Sequence, residues 1–187
     1  MGIGKVGLGS STVTFKRKNL FTFEIKSKVD SVCQFRISPF FIKSCSRPGI
    51  SFEEHELNFL NDKMYYAGKQ TIEPLTITLL DSTDKDTIQV FKWLSSFYDF
   101  SLNSSKKTSS KFSEYTADGK LTEWDGCGGE ISSYKFDDLW IQGMSLGDHD
   151  MADSGISEIQ LTLRYSQFDY NVGCNEQFGP CKQAGCD

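Results

Sequence analysis

Six cysteines and two histidines are the residues of this chain with the widest chemical reach, and their spacing decides which chemistry is open to them. His55 sits in Glu53-Glu54-His55-Glu56, but the second histidine that would complete a zinc-binding HExxH turn is missing. His149 lies in Asp148-His149-Asp150, a combination of carboxylate and imidazole that can ligate a metal. A solvated acidic loop accounts for the same three residues, and no third convergent ligand is legible. Gly2-x-Gly4-x-x-Gly7 matches a dinucleotide fingerprint as text. That fingerprint works only where a strand feeds a helix, and no strand signal precedes it. No GxSxG elbow, phosphate-binding loop or kinase signature occurs, and the pair Asp137-Asp138 would point to opposite faces of a strand. The expectation is no catalytic residue, no metal, no cofactor and no enzymatic activity.

The cysteines divide into three groups. Cys33 alternates with Phe35 and Ile37 on an apolar face and reads as a buried thiol. Cys45 is undecided. Cys127 lies among Gly126, Gly128 and Gly129, while Cys174, Cys181 and Cys186 occupy a polar tail. Their spacing lacks the close CxxC pairs of a zinc ribbon. Cys127, Cys174, Cys181 and Cys186 are therefore the candidate disulfide residues, and a link within one chain (Cys174 to Cys181) competes with a link between subunits through Cys127.

The elements that would carry these residues are mostly strands. Phe21, Phe23 and Ile25 alternate with Thr22, Glu24 and Lys26, and the run through Cys33 to Ile37 can pair with it as a hairpin. Leu57 to Leu60 and Met64 to Tyr66 flank the turn residues Asn61-Asp62-Lys63, with Ala67-Gly68 closing the second strand. Leu75, Ile77 and Leu79 alternate with two threonines, and Pro74 can only open that strand. After Asp81-Ser-Thr-Asp84 the spacing of Val90, Phe91, Leu94, Phe97 and Tyr98 predicts a helix lying on a sheet, with Lys85, Gln89 and Lys92 towards water. Residues from Ser101 to Gly129 read as an irregular, exposed stretch. Strand signal returns from Ile131 to Ile141, interrupted at Asp137-Asp138 by a bulge, and again at Ile159, Leu161, Leu163 and Tyr165.

The implied fold is mainly β: an antiparallel β-barrel or sandwich with one flanking α-helix. Residues 1–16 form a flexible arm, 17–170 one β-barrel domain with an inserted loop region at about 101–130, and 171–187 a cysteine-containing tail. The composition agrees: of 187 residues, 38% are hydrophobic and fifteen are Phe, a residue suited to a half-buried pleated surface. A formal net charge of -5 argues against gripping nucleic acid, which needs a clustered positive field. No apolar run approaches the roughly 20 residues that span a bilayer, the glycine-spaced N-terminus is no secretory signal, and Val6 stands where a myristoylation site needs Ser or Thr. No membrane anchor is expected.

The order and spacing of several stretches resemble the tail tube proteins of contractile-tailed bacteriophages. These are Lys18-Asn-Leu-Phe-Thr-Phe-Glu-Ile25, Phe41 to Ile50, and above all Tyr66-Ala-Gly-Lys-Gln-Thr-Ile-Glu-Pro-Leu-Thr-Ile-Thr-Leu-Leu-Asp81 followed by the helix carrying Trp93. Leu139-Trp-Ile141 and the strand from Glu158 to Tyr165 fit the last two strands. The resemblance covers about residues 17–100 and 131–166; the glycine-rich arm, the stretch from Ser101 to Glu130 and the cysteine tail depart from it. It implies ring oligomers, namely hexameric rings stacked into a hollow tube. It further implies contact with a tail sheath protein and baseplate proteins, and viral DNA passing through the lumen without sequence-specific binding. The implied location is the virion tail, assembled in the host bacterial cytoplasm. A tube-initiating or tube-ending ring, or the tube of a contractile secretion system, fits the same resemblance. A monomeric ligand-binding β-barrel and a metal-dependent enzyme built on His149 and the cysteine tail are the readings from other classes.

Overall fold

The computed structural model describes residues 16–28, 36–83, 85–96, 98–105, 112–125, 128–152 and 154–172. Twelve strands and two helices run in the order β1 (Phe21–Ser27), β2 (Arg36–Ile37), β3 (Ile42–Cys45), β4 (Ile50–Phe59), β5 (Asp62–Ile72), β6 (Leu75–Leu80), α1 (Lys85–Ser95), β7 (Tyr98–Asp99), β8 (Ser104–Ser105), α2 (Phe112–Tyr115), β9 (Ala117–Trp124), β10 (Glu130–Ser145), β11 (Glu158–Arg164) and β12 (Gln167–Val172). A 3-10 turn over Pro39–Phe41, begun by the fixed φ of Pro39, separates β2 from β3.

Eight strands form one antiparallel sheet in the order β2-β1-β9-β10-β11-β6-β3, with β12 on the first half of β10. The sixteen-residue β10 makes this possible by passing from one half of the sheet to the other. Its residues Ser132 to Phe136 pair β9 and β12, and Trp140 to Ser145 pair β11. Between them Asp138 takes φ 57°, a left-handed bulge that turns the strand, where the alternation is interrupted at Asp137-Asp138. The sheet curls round a core to which β1, β6, β9, β10, β11 and α1 contribute Phe23, Leu75, Ile77, Trp93, Leu121, Phe136, Leu139 and Leu161. Phe23 and Phe136 meet edge to face with ring centroids 5.8 Å apart. The mainly β class therefore stands, with α1 as the helix that flanks the sheet.

Four details differ from the sequence expectations. Residues 117–124 are not irregular: β9 lies between β1 and β10 with Ala117, Gly119 and Leu121 buried. Gly119 hid this strand, and the fold requires it, because an added Cβ would collide with Leu139 Cδ1 and lie 3.3 Å from the Phe23 ring. The stretch between α1 and β9 also holds the β7–β8 ladder and α2. Helix α1 stops at Ser95, so Tyr98 belongs to β7 rather than to the apolar stripe, and Phe97 lies outside the described residues. Trp93 and Val90 are the buried anchors, Trp93 Nε1 donating to the Tyr115 carbonyl at 2.8 Å, and Gln89 is half-buried rather than turned to water. Finally, β11 is not the last strand: Tyr170 falls inside β12, whose mostly polar residues conceal it.

Candidate assembly interface

β4 and β5 form a separate two-stranded ladder and, among the described residues, pair with no other strand. At roughly 3.3 Å per residue their length is about 30 Å. The expected hairpin was much shorter. It turns at Leu60-Asn61 rather than over residues 61–63, and β5 continues through Gly68 to Ile72. Charged residues at Glu53, Glu54 and Glu56 disguised the outer strand, and a register shift between Phe52 and Glu54 broke its alternation. Gly68 sits at that irregularity under His55, whose ring would be 2.5 Å from an added Cβ. His55 stacks on Tyr66 with centroids 5.3 Å apart, so its place is structural contact on the arm.

The base of the arm is tied to the body. Glu73 N–H donates to the Gly49 carbonyl at 3.0 Å, Arg164 donates to the Ile72 carbonyl at 2.9 Å, and Ile72 packs on the core. Beyond it, no described residue covers either face. Paired residues share a face, which places Leu57 with Met64, His55 with Tyr66 and Phe59 with Asp62 on one side. The other side carries Asn58, Glu56, Glu54, Lys63 and Tyr65, with Lys63 bonded to Glu56 at 2.8 Å. The arm is thus amphipathic, with no core beneath it among the described residues. At its tip Leu60 is 92% exposed and adopts φ 55°, a conformation that favours Gly or Asn. A branched apolar residue there serves neither the turn nor the body. An isolated two-stranded hairpin is at best marginally stable in water, so the exposed Leu57, Phe59, Leu60 and Met64 describe a surface built to be covered.

A second feature lies where the start of β1 meets the end of β3. A cavity of about 440 Å³ is lined by Lys16, Arg17, Lys18 and Arg47 over an apolar floor that includes Phe21 and Leu121. Lys16 and Arg47 each approach Glu123 to 2.6 Å, and the Ser132 hydroxyl donates to the same carboxylate at 2.6 Å. Burial pushes the Glu123 carboxyl up, but the bonds from Lys16 and Ser132 and the charges of Lys16 and Arg47 outweigh it and hold the pKa below the usual glutamate value. Of these residues, sequence pointed only to the opening strand and to the stretch from Phe41 to Ile50 that holds Arg47; a glutamate on the inward face of β9 becomes informative only once β9 is recognised. Cys45 forms part of the cavity wall, and burial pushes its thiol up to about 12, which leaves no nucleophilic thiolate.

His149 lies with Asp148 and Asp150 in an exposed loop between β10 and β11, far in sequence from His55 on the arm. Among the described residues, no three His, Cys, Asp or Glu side chains converge as metal ligands. No described helix is long and apolar enough to cross a membrane. Cys33, Cys127, Cys174, Cys181 and Cys186 lie outside the described residues, as do residues 1–15 of the N-terminal arm.

No protein-family model matches the chain, and no curated protein does either. Solved structures do share its fold. A chain of the sixfold-symmetrised anti-feeding prophage baseplate superposes with a TM-score of 0.62 at 12% identity, covering 88% of this chain and 98% of that one. A chain of the anti-feeding prophage cap, which terminates the tube, gives 0.62 at 13% identity over 90% and 99%. A chain of the sheath–tube complex of the PVC extracellular contractile injection system gives 0.55 at 14% identity over 81% and 88%. The fold is that of components of contractile injection particles, as the tail tube resemblance implies.

Proposed function

We propose that this chain is a structural subunit of the inner tail tube of a contractile bacteriophage, closing into hexameric rings that stack into a hollow conduit for genome delivery. The observation that carries the reading is the β4–β5 arm: an amphipathic ladder whose apolar face has no cover among the described residues, on a fold shared with contractile-particle components. Two further features support it. The outer edge of β12, which branches from β10, offers unpaired backbone groups among the described residues, as does the end strand β3, and edges of that kind join or aggregate unless a closed ring pairs them. The sixfold symmetry of the baseplate that contains a similarly folded chain supports six subunits per ring.

In this role the chain does no chemistry. Its partners are copies of itself, a tail sheath protein outside and baseplate proteins below, with viral DNA passing through the lumen. A lumen wall that shares the chain's net negative charge would repel phosphates and let the duplex slide rather than hold. The site is the virion tail after assembly in the host cytoplasm. Cross-links through Cys127, Cys174, Cys181 and Cys186 would reinforce ring contacts; non-reducing gels of assembled particles separate inter-subunit ladders from links within one chain.

A tube-ending or tube-initiating ring is the second reading, favoured by TM-scores of 0.62 to baseplate and cap chains against 0.55 to the sheath–tube chain. Electron microscopy of the purified protein tests both. Hollow tubes of stacked rings are expected for the repeating subunit and single, non-propagating rings for an end ring. Uniform particles of 21.1 kDa would sink both and leave a monomeric barrel.

A further inference from the structure

The basic cavity and the exposed acidic loop lie at opposite ends of the subunit, as the strand registers show. At one end of the β3–β6–β11 sheet, Ile42 and Ile159 flank Leu79, and the Asp81 N–H reaches the Ser157 carbonyl at 2.8 Å. The loop from β10 to β11 leaves from this end. At the other end, Leu163 pairs Leu75 and Ser46 N–H reaches the Thr76 carbonyl at 2.8 Å, which puts Cys45 and Arg47 there, next to Phe21 and Glu123. The loop of a subunit is therefore at the far end from its own cavity.

The two surfaces are complementary in charge and in apolar content. Four cations line the cavity, and two of them, Lys16 and Arg47, pair with Glu123. Among the described residues no carboxylate pairs with Arg17 or Lys18. Residues 146–152 are all exposed and carry Asp148 and Asp150 with no Lys or Arg. One oxygen of Asp150 accepts from the Ala152 N–H at 2.9 Å, which shapes the loop. Met151 is wholly exposed beside these carboxylates, and the cavity floor offers Leu20, Phe21 and Leu121. Surfaces that complement each other from opposite ends of one subunit make a heterologous, head-to-tail contact, which propagates rather than closes on itself.

We infer that successive rings are joined by the Asp148–Met151 loop of one copy entering the Lys16, Arg17, Lys18 and Arg47 cavity of the copy stacked upon it. The inference rests on the tube reading and deepens it. An end ring needs only one of the two surfaces, so possession of both favours the propagating subunit over the terminator.

Charge reversal with rescue tests the contact. Asp148→Lys with Asp150→Lys alters the loop, and Arg17→Glu with Lys18→Glu alters the cavity while leaving the Lys16–Glu123–Arg47 cluster intact. Each pair of changes should raise the protein concentration needed for tubes about tenfold at low salt, because like charges face each other at the junction. The chain carrying all four changes should assemble within about threefold of the parent, which a folding defect could not achieve. Rising salt should weaken parental stacking and shrink the differences. Tubes at the parental concentration from either altered chain, or no recovery in the fourfold variant, would overturn the inference while leaving ring formation and the tube reading in place. A parent that stays at 21.1 kDa would remove both together.

Discussion

The β6–β11 and β4–β5 pairs are both antiparallel ladders with apolar residues at alternate positions, yet they differ in what lies behind them. In the first, Leu75, Ile77, Leu79, Ile159, Leu161 and Leu163 are all at most 3% exposed, facing α1 and the far side of the curled sheet. In the second, Phe52, Leu57, Phe59, Met64, Tyr65 and Tyr66 are each more than half exposed. Alternation specifies a face that must be covered but not what covers it. For β6–β11 the cover is this chain; for β4–β5 no described residue supplies it, and the proposed tube assigns that cover to another copy. The same hydrophobic driving force then appears as folding stability in one place and as assembly in the other.

The contrast predicts opposite responses to substitution. The largest effect on the isolated subunit belongs to Leu161→Ala, which opens a cavity in the core and should destabilise by about 2–5 kcal/mol in denaturant titration; Leu161→Asp should not fold at all. A soluble, folded Leu161→Asp protein would show that β11 faces the other way. Gly119→Ala should cost about 1–3 kcal/mol by the same measurement, since Leu139 and Phe23 must move within a packed core.

At the tip of the arm the sign reverses. Leu60→Gly relieves a left-handed leucine and should leave the subunit unchanged or stabilise the hairpin by up to about 1 kcal/mol. In the proposed tube it removes a contact residue, so tubes should become fewer or shorter by electron microscopy. Smallest of all for the isolated chain is Leu57→Ser combined with Phe59→Ser, expected within about 0.5 kcal/mol of the parent because both are surface positions. That variant should nevertheless remain a monomer in light scattering. Loss of folding in it, or unimpaired assembly, would erase the distinction between the two ladders.

Acid provides a separate check on the body. The folded-state pKa of Glu123 is depressed, so its contribution to stability is present above the ordinary glutamate pKa and is lost as pH falls through the lower folded value. Below the ordinary value, Glu123→Gln should flatten the pH dependence of stability in the monomer.

Much of the body was legible in the sequence. Phe21 to Ile25, Leu75 to Leu79 and Ile159 to Tyr165 announce themselves because one face is buried and the other wet, which is the condition under which period two survives in the residue types. β9 failed that test: Gly119 replaces a core side chain with space for Leu139 and Phe23, and Glu123 stands inward because Lys16, Arg47 and Ser132 satisfy it. Both are tertiary facts with no local trace. β12 is mostly exposed, so its composition follows solvent rather than pleat. In α1, the stripe through Val90 pointed to the right face, while Trp93 takes the centre because its indole N–H finds the Tyr115 carbonyl across the fold. Of the arm, only the outer part around Leu57 and Met64 could be read, since Glu53, Glu54 and Glu56 suit a strand that is exposed along its whole length in the subunit.

Amide hydrogen exchange compared between assembled particles and the dissociated subunit bears most directly on the difference between the ladders. Amides of β6 and β11 should be protected in both states, whereas those of β4 and β5 beyond the base should exchange rapidly in the free subunit and slow strongly on assembly. Equal exchange of β4 and β5 in the two states, whether fast or slow, would contradict the assignment of the arm as the covered face of the assembly.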